Sequence, residues 1–126
     1  MKNSLKILSG VLISFLVILY SGCRSVPVYR GKIDSVKVTD GTFQGKCWRG
    51  PNRAVVEVTI TNGKIENIRL LKHLASWKGK RAEETIIKRI IEKQSTRVDA
   101  VTGATGSSDV IMNAIQRAIN KAYEKE

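Results

Sequence analysis

Asp99-Ala-Val-Thr-Gly-Ala-Thr-Gly-Ser-Ser108 constrains this chain most: a small, hydroxyl-rich glycine loop set directly against an amphipathic stretch running to Tyr123. The first N–H groups of a helix have no partner within it and carry the positive end of the macrodipole. A loop of this kind at a helix start is suited to hold a phosphate. Gly103 and Gly106 let the backbone come close, and Thr102, Thr105, Ser107 and Ser108 supply hydroxyls. A plainer reading makes Ser107 or Ser108 only the cap of the last helix.

Two phosphate-loop classes are excluded. A Walker loop needs Gly-Lys-Ser/Thr, and Gly106 is followed by Ser107. A dinucleotide loop must open a βαβ unit, but only about one helix of chain follows Ser108.

The string resembles the flavin-attachment motif Asp-x-x-Ser/Thr-Gly-Ala-Thr of the FMN-binding domain family, which includes covalent-FMN subunits of sodium-pumping NADH:quinone reductases and Rnf-type complexes. Asp99, Thr102, Gly103, Ala104 and Thr105 match it residue for residue. The likeness extends from about Thr39 to Ala122, through Gly41-Thr42-Phe43-Gln44-Gly45, Asn62-Gly63-Lys64-Ile65 and Gln94-Ser95. It implies FMN joined through its phosphate to Thr105, with Gly106, Ser107 and Ser108 near the phosphate. It also implies a magnesium-dependent flavin transferase that uses FAD, releases AMP and reads Asp99, Thr102, Gly103 and Ala104. In place of the family's frequent His-Lys-Glu-Thr-Pro-Gly, this chain has Lys72-His73-Leu74-Ala75-Ser76-Trp77-Lys78-Gly79, so contacts there do not transfer.

The amino terminus sets the expected location. Lys2 and Lys6 precede an uncharged run, Ile7 to Tyr20, ending in Ser21-Gly22-Cys23. Residues 1–22 read as a lipoprotein-type signal peptide with Cys23 lipidated, or else as an uncleaved membrane anchor. Both readings export the chain and hold it at the extracytoplasmic face of a bacterial membrane. Residues 23–37 read as a tether and 38–126 as the folded domain.

Cys47 is then left alone and reads as a small buried hydrophobe; a Cys23–Cys47 disulfide stays open only if Cys23 is not lipidated. One histidine, His73, cannot make a metal cluster, and no catalytic dyad is visible. Without Lys2 and Lys6 the 22 basic residues become 20 against 11 acidic ones, a balance of +9. The cations are spread without aromatic interleaving, which argues against nucleic acid and for anionic headgroups or cell-wall polymers.

The fold class is α+β. Val38 to Trp48, Ala54 to Thr61 and Ile65 to Leu71 alternate as strands, and Asn62-Gly63 marks a hairpin. Lys80 to Gln94 and Ser108 to Tyr123 carry apolar stripes of helical period, so two helices pack on one face of a small antiparallel sheet. The Ala114, Ala118, Ala122 row permits close approach of another element. Trp48 and Trp77 are each either core residues or contacts for the isoalloxazine ring. Lys78, Lys80 and Arg97 are candidates for tuning its potential.

The reading is an extracytoplasmic electron-transfer flavoprotein with FMN on Thr105 and an unknown redox donor and acceptor. A module that binds FMN without a covalent bond is one alternative. A redox-silent cell-envelope binding protein is another.

Overall fold

A computed structural model describes residues 30–124. The leader, Cys23 and the tether as far as residue 29 lie outside the described residues, among which no helix is long and apolar enough to cross a membrane. The fold is α+β. Strands β1 (Gly41–Arg49), β2 (Asn52–Thr61) and β3 (Lys64–Leu74) form an antiparallel sheet in sequence order. Helices α1 (Trp77–Lys80), α2 (Ala82–Lys93) and α3 (Thr105–Glu124) follow.

Alternation decides which face of the sheet is covered. Val56, Val58 and Ile60 of β2 are buried beside Phe43 and Cys47 of β1 and Ile65 and Ile68 of β3. Against them lie Val110, Ile111, Ala114, Ile115, Ala118, Ile119 and Ala122 of α3, with Ala82, Ile86 and Ile90 of α2. Cys47 is the small buried hydrophobe expected, and burial pushes its thiol up from its ordinary range.

Asn62 and Gly63 both have positive φ, 52° and 73°, as a two-residue hairpin of this type demands. The Asp40 carboxylate accepts from both their N–H groups, at 2.8 and 3.0 Å. At the far end of α2, Gln94 turns into the left-handed region at φ 51°. Its side-chain amide then pairs with the N–H and C=O of Ile65, at 2.7 and 2.9 Å, continuing the pattern of a sheet edge.

The described end of the expected tether is laid on the domain. Gly31 and Thr96 exchange bonds of 3.0 Å, Ile33 N–H donates to Gln94 O at 2.9 Å, and Ile33 enters the core. Proline, glycine and mixed polar composition hid this, because one isolated apolar side chain and a few backbone bonds leave no periodic signal.

The alanine row of α3 meets Gly45. A Cβ built on Gly45 would stand 1.9 Å from the Ala114 carbonyl oxygen and 2.7 Å from the Ala118 nitrogen, both backbone atoms that cannot swing aside. Gly45→Ala is therefore expected to lose about 2 kcal/mol or more of stability by overpacking. Urea unfolding beside Gln44→Ala, an exposed neighbour, checks it.

Candidate functional site

The loop from Asp99 to Ser108 is a turn fastened from within. Ala104 N–H donates to Val101 O at 2.9 Å, closing a turn around Thr102 and Gly103, and Gly103 has φ 80°. Glycine takes that conformation without the steric cost other residues meet. Ser108 N–H donates to Ala104 O at 2.9 Å, which starts the helix three residues before the expected Ser108. Neither Ser107 nor Ser108 is the N-cap residue.

Ser108 fastens the turn instead. Its hydroxyl accepts from Val101 N–H at 3.0 Å and donates to Ala104 O at 2.8 Å, and the residue is fully buried. The buried Ser107 hydroxyl donates to Asn52 Oδ1 at 3.4 Å, joining the first turn of α3 to the start of β2. Outside the turn, Arg89 Nη1 donates to Asp99 O at 2.7 Å and ties it to α2.

The hydroxyls thus divide by role. Those of Ser107 and Ser108 are used inside the protein, while Thr102 and Thr105 are exposed. Thr105 is the first residue of α3, where backbone N–H groups lack helical partners. Ala104 is buried beneath it, and the exposed Asp99 carboxylate is engaged by no described residue.

A cleft of about 460 Å³ opens beside this turn, lined by Trp77, Lys78, Arg81, Thr85, Val101, Thr102 and Gly103. Trp77 is 66% exposed, and Lys78 Nζ lies 5.7 Å from its ring centroid. The core alternative is thereby overturned for Trp77, and for Trp48, which is 58% exposed on the other face of the sheet. Of the proposed tuning cations only Lys78 lines the cleft; Lys80 and Arg97 do not, and Arg81 does.

What brings Trp77 here is a short segment with its own cap. Ser76 Oγ accepts from Gly79 N–H at 3.4 Å, and Gly79 packs so closely on α3 that a Cβ would stand 2.1 Å from Ser107 Oγ. Only glycine allows that contact. The segment from Ser76 to Arg81 and the Thr102–Gly103 turn are therefore held as the two walls of one cleft.

Ion pairs outside the loop secure the helix start and the packing of α2. The Asp109 carboxylate pairs with Arg30 at 3.2 Å and with Arg49 at 3.3 Å. His73 Nδ1 lies 2.7 Å from Glu83 Oε1, joining β3 to α2. Arg30 and Arg49 are far from Asp109 in sequence, and only the fold brings them together.

The donor set suits a phosphate bearing a flat aromatic ring: free helix-start N–H groups, two exposed hydroxyls, cations, and a tryptophan face beside an open cleft. The sequence model of the FMN-binding domain matches residues 49–120, and the chain belongs to that family. An uncharacterised protein of Treponema pallidum is 28% identical over 95 residues, 71% of this chain. The chain spans only 25% of that relative's length. The crystal structure of the CPE2226 protein from Clostridium perfringens shares the fold at a TM-score of 0.55 and 20% identity, covering 71% of this chain and 92% of that one.

Ser108→Ala should leave the half-buried Val101 N–H without its partner and cost about 1 kcal/mol. Amide exchange at Val101 and Ala104 is expected to accelerate; unchanged exchange would show that the turn holds without this hydroxyl.

Proposed function

We propose that this protein is an electron-transfer flavoprotein of the bacterial cell envelope carrying FMN covalently on Thr105. The single observation behind the site is Thr105 itself: an exposed hydroxyl at the first helical position, in a motif that matches the family's attachment string, next to the Trp77 cleft.

In this reading a magnesium-dependent flavin transferase, with FAD as co-substrate, delivers the FMN phosphoryl group to Thr105 Oγ. The Oγ–P bond forms as the pyrophosphate bond breaks, AMP leaves, and the hydroxyl proton passes to the transferase. The Asp99 carboxylate and the Thr102–Gly103–Ala104 turn are what that enzyme reads. Bound flavin supplies one- or two-electron chemistry.

The protein supplies position and charge. Free N–H groups at the start of α3 would hold the phosphodiester, Trp77 would offer its ring to the isoalloxazine, and Lys78 and Arg81 would supply positive charge beside it. Cations there favour a negatively charged reduced ring, so Lys78 and Arg81 are the residues that raise its potential. Residues 1–22 export the chain and Cys23 or the uncleaved segment keeps it at the membrane, where a redox donor and acceptor meet it.

The full chain co-expressed with a flavin transferase is expected to gain the mass of FMN less one water, and Thr105→Val to gain nothing. Flavin retained by Thr105→Val through dialysis would instead mark a non-covalent site. A colourless wild-type protein would contradict the flavoprotein reading.

A further inference from the structure

The helices cover one face of the sheet, and the other face changes character along its length. On that face the strand register places Trp48, Arg53 and Leu74 in one row across β1, β2 and β3. The next row is Lys46, Val55 and Lys72. Acid enters only at the third, Gln44, Glu57 and Arg69, where Glu57 is already paired with Arg69 at 2.8 Å.

The first two rows are therefore apolar and cationic without a carboxylate. Trp48 is 58% exposed and Leu74 50%, and Leu71, the extra residue at the β3 bulge, is exposed beside them. The Arg53 guanidinium lies 4.8 Å from the Trp48 ring centroid, and its buried Nε has no partner. No described carboxylate pairs with Lys46, Arg53 or Lys72.

Arg49, one position from Trp48, shares Asp109 with the guanidinium of Arg30, the first described residue, whose neighbour Gly31 lies against Thr96. Cys23 is seven residues upstream of Arg30, a reach of at most about 25 Å when extended. A lipid on Cys23 would leave these two rows within reach of the membrane surface.

We infer that the open sheet face at Trp48, Leu71 and Leu74, with Lys46, Arg53 and Lys72, seats on anionic phospholipid headgroups. Tryptophan and leucine at the polar–apolar boundary beside lysine and arginine match the chemistry of that layer: rings enter the interface while cations meet phosphates. Asn52 joins this end of the sheet to Ser107, so seating would hold the Trp77 cleft close to the lipid–water boundary. The inference rests on the membrane attachment proposed above and adds to it a fixed orientation.

The test uses the full chain with Trp77→Phe, leaving Trp48 as sole reporter, mixed with vesicles containing brominated phosphatidylcholine, with or without phosphatidylglycerol. Flotation reads attachment and Trp48 emission reads seating. Trp48 is expected to be quenched at least about twofold more with phosphatidylglycerol, with the excess lost in high salt and in Lys46→Glu/Lys72→Glu. Quenching that ignores phosphatidylglycerol, or is absent while the protein floats, would overturn the docking surface and leave attachment intact. Failure to float on neutral vesicles would overturn the anchor alone, since Trp48 quenching on phosphatidylglycerol vesicles still reads the surface.

Discussion

The close approach of α3 to β1 at Gly45 governs the geometry of the molecule. With no side chain at that position, the backbone of Ala114 and Ala118 comes down onto the strand, and the Ile and Val side chains on either side interdigitate. A helix lying this low on a three-stranded sheet has its position fixed by hard contacts with little freedom to slide. Its first turn therefore arrives at a fixed place, against Asn52 and Gly79.

That placement explains the use of hydroxyls in the glycine loop. A helix start buried against two elements must satisfy its polar groups, and Ser107 and Ser108 do so internally. Thr102 and Thr105, facing outward, are left for external chemistry. The same loop that stabilises the fold thus presents one free hydroxyl at the helix start and one at the rim of the cleft. A second close contact, Gly79 on Ser107, brings an exposed tryptophan and two cations to the opposite wall.

Much of this was legible from sequence because it rests on periodicity and local turn chemistry. The strand alternation of Val56, Val58 and Ile60, the isoleucine stripes, and Asn62-Gly63 each follow from short-range rules, and the motif at Thr105 is contiguous. Long-range pairings were not legible. Arg30 and Arg49 on Asp109, Gln94 on the edge of β3, and Arg81 in the cleft carry no local signature. The helix start was placed late because Gly106 suggests a turn, yet at the second helical position its cost is small and Asn52 occupies the space beside it. Size leaves Trp48 and Trp77 open between core and ring contact, and the fold decides it: Trp48 follows buried Cys47 and so lies on the uncovered face of the sheet, and Trp77 stands exposed at the cleft.

The central claim is that the Thr105 loop and the Trp77 wall form one flavin site. Steady-state fluorescence of FMN-loaded and flavin-free full chain, both carrying Trp48→Phe, tests it directly with Trp77 as sole reporter. Contact with the flavin ring predicts that most Trp77 emission is lost in the loaded protein and returns on unfolding it in urea, where the bound flavin no longer stacks. Equal emission from the two folded forms would contradict the account, and would place the flavin away from the cleft.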